Sequence, residues 1–114
     1  MIKLTIIGAG SAVFTKNIVT DLLSVEAFKS MEIALQDIDP IRLKASYELL
    51  NVISKKLSAS PKITSHTDRR ESLVGANFVQ TTIQVGGYKP STIIDFKIPS
   101  QYGLKQTIAD TLGI

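Results

Sequence analysis

An α/β fold built on a parallel sheet is predicted by two observations. Short runs of β-branched and apolar residues alternate with longer segments in which apolar residues recur every three or four positions, and each boundary carries its own turn or cap residue. The first run, Leu4 to Ile7, is nearly continuous in character, as expected of a central strand covered on both faces, and it stops at Gly8. Beyond that turn Phe14, Ile18, Leu22 and Val25 share one face of a helix expected to reach about Ala27. A second strand is expected from Glu32 to Asp37. Asp39 followed by Pro40 pairs an N-cap residue with proline at the first helical position, so a long helix starts there, with Leu43, Tyr47, Leu50, Ile53 or Ser54, and Leu57 at helical spacing.

The stretch "SASP" breaks that helix, and Lys62 to Ser65 forms a short third strand. Asp68 can cap a brief helix over 69–74, with Gly75 suited to its C-terminal end. A fourth strand runs from Asn77 to Ile83, followed by the Gly86-Gly87 loop. From Pro90 to Tyr102 a helix, kinked near Pro99, is expected, because a crossover usually follows a parallel strand; Ile94, Phe96 and Ile98 also alternate as in a strand. Gly103 would end it. With right-handed crossovers, this succession predicts the strand order 3-2-1-4, a truncated, Rossmann-like doubly wound fold.

Composition excludes several classes. Hydrophobic residues make up 44% and charged residues 20% of the 114, which fits one globular domain rather than a disordered tail or a membrane span. The net charge of +3 is spread without a basic stripe, so neither nucleic acid nor a membrane is an expected partner. The absence of cysteine removes disulfides and thiolate metal sites, and a cytoplasmic setting fits. His66, in "TSHTD", has no cysteine or second histidine beside it and reads as a loop or surface residue rather than a metal ligand.

The chemistry concentrates in "IIGAGSAVF". Gly8 permits a sharp turn after the strand, and Gly10 lets a phosphate approach the backbone where free amides and the helix dipole favour an anion. Val13 stands where the dinucleotide-binding pattern Gly-x-Gly-x-x-Gly has its third glycine, which weakens the helix-to-strand packing rule rather than the binding rule. Alone, the turn could be a plain tight corner. Asp37, at the end of the second strand, adds the acidic residue that takes adenosine ribose hydroxyls and repels a 2'-phosphate, favouring NAD over NADP; Arg42 keeps NADP open. Asp39 is read as a helix cap. Gly86 and Gly87 lie where ligands enter doubly wound folds, or in a flexible loop.

Four segments, "KLTIIGAGSAVFTKNIVTDLL", "ALQDIDPIRL", "TSHTDRRESLVGANFVQTTIQVGGY" and "YGLKQTIADTLGI", together resemble the N-terminal part of the family 4 glycoside hydrolases, most closely the α-galactosidases among them. The resemblance implies a Rossmann-type NAD-binding domain over residues 1–114, with a metal and catalytic domain expected beyond Ile114, and requirements for NAD and Mn2+. It also implies a small-molecule α-glycoside substrate and a homo-oligomer. The implied reaction oxidises the sugar at C3 with bound NAD, eliminates the glycosidic oxygen after loss of the C2 hydrogen, adds water and returns the hydride. By position, Gly8, Gly10, Ser11, Ala12 and Val13 resemble the pyrophosphate turn, and Asp37 the ribose acid. Gln84, Val85, Gly86 and Gly87 resemble the loop beside the nicotinamide half, and Asp110 a residue lining the sugar site, with a capping role as its alternative. No catalytic or metal-binding residue is carried over onto this chain, which alone is expected to be inactive.

Two other functions share the turn. A lactate or malate dehydrogenase-like coenzyme half would be expected to carry an Arg-rich loop after the fourth strand, where "QVGGYKPST" has no Arg. A stand-alone nucleotide-sensing module would suit the length but usually has a Gly-Asp pair after the third strand, where this chain reads "SHTD".

Overall fold

The computed structural model describes residues 1–83 and 86–105, and they fall into two units, one ending at Ile83 and the other beginning after it. The first unit runs β1 (Lys3–Ile7), α1 (Ala12–Leu23), β2 (Glu32–Gln36), α2 (Pro40–Lys56), β3 (Lys62–His66), α3 (Arg69–Leu73) and β4 (Phe78–Thr81), with a 3-10 turn at Glu26–Phe28. Its strands form a parallel sheet of order β3-β2-β1-β4, the order expected from right-handed crossovers. In the second unit a π turn at Gly87–Thr92 leads into α4 (Ile93–Gln101), so this segment is helical despite its alternating isoleucines.

Register explains the core. Leu4 lies opposite Ile33 and Ile6 opposite Leu35, so these four side chains project from the same face. Val19 and Leu23 of α1, Leu43 and Leu50 of α2, Ala9 and Met31 complete a buried cluster with them. The other face carries Thr5 opposite Ala34, and there the Thr5 hydroxyl donates to the Ser72 carbonyl of α3 at 2.7 Å. Both faces of β1 are therefore covered, one by a greasy helix pair and one by a short polar helix.

Two helix caps confirm the sequence reading. The Asp39 carboxylate accepts from the amides of Ile41 and Arg42 with Pro40 at the first helical position, and Asp68 accepts from the Glu71 amide. The expected inner face of α1 is corrected. Phe14 and Val25 are exposed, and the buried stripe is Thr15, Val19 and Leu23, one position along from the predicted Phe14, Ile18 and Leu22. A polar residue leads that stripe because its hydroxyl is satisfied inside: Thr15 Oγ1 donates to the Ala9 carbonyl at 3.0 Å.

Candidate functional site

The carboxyl ends of β1 and β2 meet at the glycine turn. Gly8 adopts φ +84°, a conformation strained for residues with a side chain, and its missing Cβ would overlap the Thr82 carbonyl just beyond β4. The amides of Gly8 and Ala9 both donate to the Gln36 carbonyl, at 2.9 and 2.8 Å, which ties the turn to the end of β2. Gly10 then donates to Asp37 Oδ2 at 2.8 Å, and Ser11 to the Gly8 carbonyl at 3.1 Å. Every amide from Gly8 to Ser11 is thus engaged within the protein.

The next amides are not. Ala12, Val13 and Phe14 open α1, and among the described residues no carbonyl accepts from them, while Ser11 at the N-cap makes no side-chain capping bond. α2 and α3 are both capped by aspartates; α1 is left open at the glycine turn. Those open donors and the positive end of the helix dipole make an anion-accepting corner. Val13 is 67% exposed, so a side chain at the third position of the motif points away from the sheet and leaves the packing of α1 against it intact.

Asp37, directly after β2, sits half-buried beside this corner. Its Oδ1 accepts from the Asp39 amide at 2.9 Å and its Oδ2 from Gly10, which leaves lone pairs on both oxygens for further donors such as a vicinal diol. The space that Gly10 leaves open faces the protein: a Cβ there would lie 2.6 Å from Asp37 Oδ2 and 2.8 Å from Arg42 Cβ. Close approach of the β2–α2 corner therefore demands glycine, a reason the motif alone did not reveal. The Arg42 guanidinium, mostly exposed, lies 3.7 Å from Asp39 Oδ2, a weak surface pair.

Ser46 of α2 was missed by the sequence reading. It is 1% exposed, and its hydroxyl donates to the Ala9 carbonyl at 2.7 Å. Its spacing from Leu43 and Leu50, on the inner face of an otherwise apolar stripe, is the signal that could have found it.

The structure therefore assembles Gly8, Gly10, Ser11, Ala12, Val13 and Asp37 into one corner of the first unit. Gly86, at φ +85°, and Gly87 belong to the second unit, where a Cβ on Gly86 would collide with the Ser91 side chain. Gln84, Val85 and Asp110 lie outside the described residues. His66, at the end of β3, has its Nε2 3.0 Å from Thr64 Oγ1 and its Nδ1 3.8 Å from Glu71, while its backbone carbonyl accepts from the Asp37 amide.

A β3-β2-β1-β4 parallel sheet with a glycine turn after its first strand and an acid after its second is the opening half of a doubly wound α/β fold of the dinucleotide-binding class. Residues 3–114 match the model of "Family 4 glycosyl hydrolase", and the chain belongs to that family. It is 53% identical over its whole length to an α-galactosidase of Bacillus subtilis, covering 26% of that protein. It is 37% identical over 96% of its length to an α-galactosidase of Rhizobium meliloti, covering 22% of it. It is also 33% identical over 97% of its length to an α-glucosidase of Erwinia rhapontici, covering 24% of it. The chain thus spans about a quarter of the length of these relatives.

Among solved structures, the fold is similar to a 6-phospho-β-glucosidase of Thermotoga maritima crystallised with NAD and glucose-6-phosphate. The TM-score is 0.81 at 26% identity, covering 98% of this chain and 26% of that one. A second structure of the Thermotoga enzyme, holding manganese, NAD+ and glucose-6-phosphate, gives 0.75 at 25% identity over 92% of this chain and 25% of that one.

Proposed function

We propose that this chain is the NAD-binding portion of an NAD- and manganese-dependent α-glycosidase of the α-galactosidase type. The observation that carries the reading is the open N-terminus of α1, where the amides of Ala12, Val13 and Phe14 find no acceptor among the described residues, next to a carboxylate that retains acceptor capacity on both oxygens. In this proposal the pyrophosphate sits on those amides over Gly8 to Val13, and the adenosine ribose hydroxyls donate to Asp37. A 2'-phosphate at the same place would be repelled by the Asp37 carboxylate, which favours NAD over its phosphorylated form.

When bound, NAD supplies a transient oxidation of the sugar at C3, which acidifies the hydrogen on C2 and opens an elimination route for the glycosidic oxygen. Gln84, Val85, Gly86 and Gly87 would flank the nicotinamide half, and Asp110 the α-glycoside. Manganese does not fit the residues at hand: cysteine is absent, His66 is the single histidine, and the described residues hold no group of three His, Asp or Glu able to bind a metal. Its ligands are assigned to the larger part of the relatives that this chain does not span. The galactoside preference follows the 53% identical relative, and a cytoplasmic homo-oligomer is the assembly this reading expects. Among the described residues no helix is long and apolar enough to cross a membrane.

The test is release of nitrophenol from nitrophenyl α-galactoside, with NAD, manganese and reductant supplied, by the 114-residue chain and by a chain extended to the full length of its relatives. Turnover by the extended chain alone is expected, since this proposal assigns the base that would take the C2 proton, and the metal that would stabilise the charge left behind, to the part of the relatives this chain does not span. Turnover by the short chain would overturn that placement. Failure of the extended chain on both α-galactosides and α-glucosides would overturn the glycosidase reading.

A further inference from the structure

The peptide group between Ala9 and Gly10 is gripped at both ends. Its carbonyl accepts two buried hydroxyls, Thr15 Oγ1 from α1 at 3.0 Å and Ser46 Oγ from α2 at 2.7 Å, and its N–H donates to Asp37 Oδ2 at 2.8 Å. One peptide plane is thus held by three side chains from three separate places in the chain. Its neighbours are tied mainly by backbone, through the Gln36 and Gly8 carbonyls, with one side chain, the Thr82 hydroxyl, 3.3 Å from the Ile7 and Gly8 carbonyls.

We propose that Ser46 is a positioning residue for the dinucleotide-binding turn, acting through the Ala9–Gly10 peptide to hold the Gly10 amide on Asp37 and the open amides of α1 in their binding orientation. The proposal rests on the NAD-binding reading above. A peptide free to rotate would swing its N–H off Asp37 and its carbonyl toward the anion site, where a partial negative charge opposes a pyrophosphate. Ser46 blocks that rotation because its donor is buried and aimed at a single acceptor. Thr15 shares the acceptor but moves with α1 itself, whereas Ser46 links the turn to a second helix. That link also joins the two binding groups, since α2 begins three residues after Asp37 and its Arg42 Cβ lies 2.8 Å from where a Cβ on Gly10 would stand.

A buried hydroxyl elsewhere on the same helix provides the control. Ser54 is also buried, but its hydroxyl donates to the Leu50 carbonyl of α2 at 2.7 Å, away from the turn. Ser46→Ala and Ser54→Ala should be compared with the parent chain by calorimetric titration with NAD and by amide hydrogen exchange at Gly10. The proposal expects Ser46→Ala to weaken NAD roughly five- to tenfold, the loss of one well-placed hydrogen bond. It also expects about tenfold faster exchange at Gly10, with Ser54→Ala moving neither. Unchanged exchange at Gly10 in Ser46→Ala, or equal losses of NAD affinity in both variants, would overturn it. If the parent chain itself bound no NAD, the cofactor reading would fall, and Gly10 exchange would still decide whether Ser46 holds the peptide.

Discussion

Asp37 and Gly10 are joined by a 2.8 Å hydrogen bond from the glycine amide to the carboxylate, and the same carboxylate oxygen occupies the direction in which a Cβ on residue 10 would project. The acid that the sequence pattern assigns to a ribose and the glycine it assigns to a phosphate are thus one structural unit before any ligand arrives. Substitutions at either position must affect both the fold and the site.

The two glycines should differ in what they tolerate. Gly8→Ala meets both a left-handed backbone and the Thr82 carbonyl, so it is expected to destabilise by about 2–5 kcal/mol. Gly10→Ala meets only the movable Asp37 side chain and Arg42 Cβ and should cost about 1–3 kcal/mol. Urea unfolding followed by circular dichroism measures both. A Gly8→Ala chain as stable as the parent would contradict the close approach of β4.

The neighbouring aspartates separate cleanly. Asp39 spends its side chain on the amides of Ile41 and Arg42, so Asp39→Ala should lower stability by about 1 kcal/mol while leaving NAD affinity within about twofold. Thermal melts and NAD titration of the same sample report the two effects independently. A large loss of NAD affinity in Asp39→Ala would move the ribose role away from Asp37.

β4 presents an open edge. Among the described residues it pairs only with β1, and its consecutive residues Phe78 and Val79, which point to opposite faces, are 63% and 53% exposed. Light scattering should show concentration-dependent association of the 114-residue chain, reduced in Val79→Lys, since a charge on an edge strand opposes strand pairing. A monodisperse monomer across a wide concentration range would count against an exposed, adhesive edge.

Much of this architecture could be read from residue types. Strand order followed from the alternation of runs and the handedness of crossovers, and Asp39-Pro40 and Asp68 marked their helix starts because a short acidic side chain before a helix has few other uses. The inner faces of α1 and α2 were harder to read. Ser54 was already an alternative to Ile53 on spacing, but Thr15 and Ser46 are buried too, and hydrophobic periodicity discounts hydroxyl residues although an internal carbonyl can satisfy them. In α1 that shifted the stripe by one residue. Gly10 shows the same limit at the site, since a motif records that a side chain is missing and not which neighbour fills the space.

NAD titration of the parent chain and of Asp37→Ala tests the central claim most directly. The parent is expected to bind NAD, and Asp37→Ala to bind it roughly ten- to 150-fold more weakly, the loss of about 1.5 to 3 kcal/mol of charge-assisted hydrogen bonding to the ribose. NADP should lose little or gain, because the substitution also removes the repulsion of a 2'-phosphate. A folded parent chain that binds no NAD, or an Asp37→Ala chain that binds it as tightly as the parent, would contradict the account.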